Sequence, residues 1–85
     1  MKTYAVCLGG FVESGMLNEA MFHYFANEEE ANAMIEDLNR KYKTDEQKLA
    51  WMDQYEQAGN EINGRVETRL TEFYVKPIDV IDHVL

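Results

Sequence analysis

Along residues 3–12, apolar side chains fall on both alternating faces: Tyr4, Val6, Leu8 and Val12 on one side, Ala5, Cys7 and Phe11 on the other. A strand with one wet face alternates apolar and polar residues, whereas this pattern belongs to a central strand covered on both faces, or on one face by a partner chain. Gly9 and Gly10 interrupt it and predict a bulge or a close backbone approach. Residues 13–18 read as a hairpin connection, and residues 20–26, rich in aromatics, as a second strand.

Asn27 then predicts a helix N-cap, accepting from the N–H three residues on, with Glu30 at the capping-box position. Ala31, Met34, Ile35, Leu38 and Tyr42 follow helical spacing and form one buried stripe. Glu28–Glu30 lie at the positive end of that helix's dipole, and Arg40, Lys41 and Lys43 at its negative end. Thr44 to Gln47 is a second capping box, so a second helix runs from about Asp45 to Ala58 and stops near Gly59. Its apolar face is thin: Leu49, Met52 and Tyr55, with Trp51 to one side. Residues 60–64 read as a turn, and a third strand is convincing from Leu70 onward. Pro77 points to a sheet edge or a strand end, and residues 78–85 extend the strand or form a helical turn.

The order strand, strand, helix, helix, strand predicts an α+β fold, a single small ββααβ domain over residues 1–85. Its antiparallel-rich three-stranded sheet has strand 1 at the centre and two helices on one face. Strand 1 is apolar on both faces while the helices serve only one, so a homodimer burying the surplus face is expected.

Charge narrows the function classes. Sixteen Asp and Glu oppose eight Lys and Arg, for a net charge of -8. A nucleic-acid binder needs a basic face to displace counterions from phosphates, so direct nucleic-acid binding is not expected. The acid excess suits either a protein that meets a basic partner or one that simply repels its own copies. The lone cysteine, Cys7, cannot form an internal disulfide, which fits a reducing cytoplasm. No apolar run approaches the roughly 20 residues that span a bilayer, and Glu13 arrives too early for a signal peptide.

Candidate chemistry is sparse. Cys7 with His23 would make a nucleophile and base, but a mid-strand thiol is an ordinary core residue. Asp79, Asp82 and His83 lack the makings of a specific metal site, and Gly9-Gly10 belongs to neither a Walker nor a dinucleotide pattern, so no metal or cofactor is expected. No enzymatic constellation is present. The carboxylates Glu36, Asp37, Asp45, Glu46, Asp53 and Glu56 lie on or between the two helices and predict a negative face for a protein partner with a basic surface. Trp51 is either an anchor within that face or a core filler. The alternative reading is a small-ligand binder, for a ligand such as a nucleotide signal, in which Arg65, Arg69, Lys41 and Lys43 capture phosphate in a pocket between protomers.

An aromatic strand feeding an acidic helix start over residues 22–39, with a closing strand over residues 73–81, resembles small proteins of phages and mobile elements in bacteria. Some of these inhibit host defence systems. The resemblance therefore implies an inhibitor acting in the bacterial cytoplasm.

Overall fold

A computed structural model describes residues 1–79. β1 (Lys2–Phe11) is the central strand of a three-stranded antiparallel sheet in the order β2-β1-β3. β2 (Leu17–Phe25) returns along one edge, and β3 (Phe73–Asp79) closes the other. Between them run α1 (Glu28–Lys41) and α2 (Asp45–Gln57). The ββααβ order and the α+β class are those expected from the residue pattern.

The core lies on one face of the sheet. Val6 and Leu8 of β1, Ala20 and Phe22 of β2 and Phe73 of β3 meet Ala31 and Leu38 of α1 and Met52 of α2. Met34, Ile35 and Tyr42 are half-buried around them, so the predicted α1 stripe faces the sheet. Capping differs in one detail. The Asn27 side chain accepts from the Glu29 N–H at 2.8 Å, one residue nearer than expected. The Thr44–Gln47 capping box of α2 forms with both reciprocal bonds.

Gly9 and Gly10 sit inside β1, and the ladder to β2 runs through them regularly. The irregularity falls instead at Val6/Cys7: Val6 faces His23, Cys7 faces Met21, and Phe22 is the extra residue. The other expectation for the glycines, close approach, is met. A Cβ on Gly10 would lie 2.8 Å from Leu70 Cδ2 and 3.1 Å from Val66 Cβ. There the chain between α2 and β3 crosses the end of the sheet. It bridges to the outer edge of β2 at Met21–Asn63 and to β1 at Phe11–Thr68, burying Val66 on the way.

That crossing also shortens the third strand, which begins at Phe73 rather than Leu70. Arg69 adopts φ 52°, in the left-handed region, which breaks extended backbone. The Thr71 carbonyl is then taken by a lysine of α2 instead of a strand neighbour. Pro77 lies on an edge strand, where its missing N–H is harmless. Residues 78–79 extend β3, while the rest of the tail, with Asp82 and His83, lies outside the described residues.

β1's second face is closed within the chain. Ala5 and Cys7 are fully buried there. Their cross-strand neighbours are Tyr24 and Lys76 for Ala5, and Met21 and Tyr74 for Cys7. Long side chains from the two outer strands therefore shelter the small residues of the central one, and burying them requires no second copy.

Candidate functional site

The site is built around α2, which two polar bonds and one aromatic cluster hold to the rest of the fold. Lys48 is a buried lysine; its Nζ donates to the Thr71 carbonyl at 2.7 Å. Tyr55 donates its hydroxyl to the Phe22 carbonyl at 2.7 Å. Phe22 is the extra residue of the β2 irregularity, so Tyr55 supplies a partner at the point where the sheet ladder is interrupted.

Between these pins Trp51 sits in an aromatic cluster. Its ring centroid is 4.9 Å from Phe22 and 5.3 Å from Phe73, both edge-on, and 5.1 Å from Tyr55 in a stacked arrangement. Such pairs add about 0.5–1.5 kcal/mol each beyond area burial. Trp51 is partly buried and packs against the core through this cluster.

The charges on α2 differ from those on α1. α1 carries Glu28, Glu29 and Glu30 in its first turn and Arg40 and Lys41 in its last, so its charges complement the helix dipole. α2 has Asp45 and Glu46 in its first turn but no basic residue in its last. Glu56 instead stands in its last turn, where the dipole is negative, and Asp53 lies on the turn before it. Among the described residues neither makes an ion pair. The fold explains the acids at the start of α2 and does not explain these two.

Beside them runs a groove. α2 ends in a Schellman motif: the Gly59 N–H bonds the Glu56 carbonyl at 3.0 Å and the Asn60 N–H bonds the Tyr55 carbonyl at 3.4 Å. Gly59 takes φ 94°, which a glycine adopts without strain. This reversal sends the chain back past α2, and Gly64 then packs so closely on β2 that a Cβ there would collide with the Glu19 carbonyl oxygen. Between α2, residues 62–67 and the β1–β2 turn lies an open groove of about 1080 Å³. Leu49, Met52, Ile62 and Val66 contribute apolar walls, and Glu13, Asp53, Glu56 and Glu67 contribute carboxylates.

The sequence candidates divide accordingly. Asp53 and Glu56 line the groove, and so does Arg65 from the rival basic set. Arg65 is bound to the Glu67 carboxylate and brings no free positive charge. Glu36, Asp45 and Glu46 are exposed on the helices outside the groove lining. Asp37 is held by Arg40 at 2.5 Å and Lys41 at 3.0 Å, so a predicted acidic contact and a predicted phosphate ligand neutralise each other. The Lys41 hydrogen bond, the largest influence, holds the Asp37 carboxyl below its ordinary range. Arg69 lies over the Phe11 ring at 5.7 Å, and Lys43 is exposed beyond α1. Arg65, Arg69 and Lys41 thus each have a separate partner within the chain.

The opposite face of the sheet carries a second network. Glu19 of β2 accepts from the Tyr74 hydroxyl and, at 2.9 Å, from Lys76 Nζ, both on β3. These bonds pass over β1 where Gly9, the partner of Glu19, has no side chain. Burial would raise the Glu19 carboxyl, but the bonds from Tyr74 and Lys76 outweigh it and hold the group below its ordinary range. Cys7 lies within reach of the same charges. Burial, reinforced by Glu19, pushes its thiol up to about 11, far from a reactive thiolate. His23 is exposed, with its ring tilted against Phe25 at a centroid distance of 4.3 Å.

The sequence placed Tyr55 on the apolar face of α2 but gave no sign of its hydrogen bond, and Lys48 was not placed on that face. The available signal was spacing: Lys48, Met52 and Tyr55 lie at i, i+4 and i+7, so the lysine shares the buried stripe.

Among the described residues, no group of His, Cys, Asp and Glu could hold a metal ion, and no helix is long and apolar enough to cross a membrane. Comparison with protein-family models, curated proteins and solved structures finds no match for this chain.

Proposed function

We propose that this protein binds and modulates a protein partner with a basic surface, through the side of the molecule formed by α2. The observation that carries this reading is the charge of α2's C-terminal half. Glu56 opposes the helix dipole from the last turn, and both Asp53 and Glu56 lack ion-pair partners among the described residues and flank an apolar groove. Charges that work against the fold are retained when a partner uses them. Carboxylates at a helix surface stand in for the phosphates of a nucleic acid, so a nucleic-acid-binding or defence protein of a bacterial host is the class of target this surface suits. The likeness to phage and mobile-element proteins agrees with an inhibitor of that kind. The rival small-ligand reading has less support, because Arg65, Arg69 and Lys41 are each occupied within the chain.

The test is affinity capture from bacterial lysate with the native chain and with a folded Asp53→Lys/Glu56→Lys variant. A partner lost on charge reversal, whose association slows as salt is added, supports the reading. Equal capture by both proteins sinks it.

A further inference from the structure

We infer that the groove beside α2 receives one basic amphipathic segment of the partner, with an apolar side chain seated between Leu49 and Ile62 and lysines or arginines on either side. This inference rests on the basic-partner reading above and specifies where and how that partner is held.

The groove combines two properties. Leu49 and Ile62 are half-buried in the free protein and supply apolar surface for a visiting side chain. Around them, carboxylates outside any ion pair among the described residues arrive from separate parts of the chain: Glu13 from the β1–β2 turn and Asp53 and Glu56 from α2. Arg65 is the lone basic residue in the lining, and Glu67 already neutralises it. The complementary object is positive at its flanks and apolar at its centre.

Charge excludes the competing occupants. A nucleic acid or an anionic lipid surface would bring phosphates against these carboxylates. A polyamine would satisfy the carboxylates and leave the apolar walls uncovered. A basic segment beside Glu56 also helps in a second way, because cations at the C-terminal turn of α2 complement its dipole.

The test uses a labelled peptide of interspersed leucine and lysine, a peptide of equal charge with serine for leucine, and spermine, each titrated into the full chain. Fluorescence anisotropy reads affinity and amide NMR shifts read location. The leucine–lysine peptide is expected to bind with shifts centred on Leu49, Asp53, Ile62 and Val66. The serine peptide should bind about tenfold more weakly or worse, the loss expected from one large buried apolar side chain. Asp53→Lys/Glu56→Lys should weaken the leucine–lysine peptide by a similar factor. Equal binding of the two peptides, or displacement by spermine at equal charge concentration, overturns the inference by making the site a charge trap alone. Shifts centred on Glu36, Asp45 and Glu46 overturn the groove but leave the basic-partner reading standing. If no basic probe binds and lysate capture is insensitive to charge reversal, both fail.

Discussion

Asn39 behaves towards Phe73 as a neighbouring strand would. Its side-chain amide donates to the Phe73 carbonyl at 3.0 Å, and its carbonyl oxygen accepts from the Phe73 N–H at 2.8 Å. Phe73 opens β3, on the edge of the sheet, and its ring is buried in the core. One α1 side chain thus completes the hydrogen bonding of the residue that starts the last strand. Asn39→Ala should leave both backbone groups without these partners and cost about 1–3 kcal/mol. Asn39→Asp, which loses the amide donor, should also destabilise. Denaturant melts check both, and an Asn39→Ala loss below about 0.5 kcal/mol, the scale of an ordinary surface substitution, would show that water replaces the amide.

Glu56 should trade stability for binding. Glu56→Lys removes a carboxylate from the unfavourable end of α2 and adds a complementary charge, so the isolated protein should gain about 0.3–1 kcal/mol. The same change should weaken a basic partner. A variant that melts lower than the native chain contradicts the dipole argument.

Trp51→Ala should act on the fold before it acts on any complex. Emptying the space between Phe22, Phe73 and Tyr55 should cost about 3–5 kcal/mol, as for other large aromatic truncations. Thermal melts decide this. A variant that folds normally and only releases a partner faster would make Trp51 an interface anchor.

Glu19 supplies an acid-sensitive element. Its folded carboxyl is held below the ordinary glutamate range, so the folded state binds its proton more weakly than the unfolded state. The stability it contributes is fully present above that range and is lost as pH falls through the folded value. Glu19→Gln should therefore destabilise at neutral pH, and the gap from the native chain should narrow in acid. Comparing the two curves isolates this group from the general relief of repulsion as the other carboxylates protonate. A gap that is constant with pH refutes the assignment.

Cys7 should be silent towards thiol reagents in the native state near neutral pH, since it is fully buried and its thiol is pushed up to about 11. It should react stoichiometrically in denaturant. The slow native rate then reports opening of the sheet, and rapid labelling of native protein would contradict the burial of β1's second face.

Much of the fold was legible because local signals and core pattern agreed. The Ala31–Tyr42 stripe, the Thr44 capping box and the Gly59 stop all depend on residues close in sequence. The crossing from residue 60 to 72 was less legible, because what bends it is distant: Gly10 and Gly64 make room, and Lys48 captures Thr71. Asn39 lay in view at i+4 from Ile35 and i−3 from Tyr42, a polar residue on the stripe, but its partner is 34 residues away. The surplus apolar face of β1 was visible, whereas its cover was not, because Met21, Tyr24, Tyr74 and Lys76 come from both outer strands. Of the site, the carboxylates were legible as residues. Their division between dipole-matched and dipole-opposed positions depended on where the helices end and which residues pair.

The central place of β1 has a consequence for synthesis. β1 leaves the ribosome well before β3 and can pair with β2 first, but its other edge waits for residues 73–79. Until these emerge, a nascent hairpin displays Ala5, Val6, Cys7 and Leu8 along an unpaired strand edge, the kind of surface that recruits other chains. Closing that edge brings residue 2 beside residue 79, a long loop that must form before its contacts repay it. Nascent chains stalled before β3 should therefore bind chaperones or aggregate, and release should follow completion of the strand.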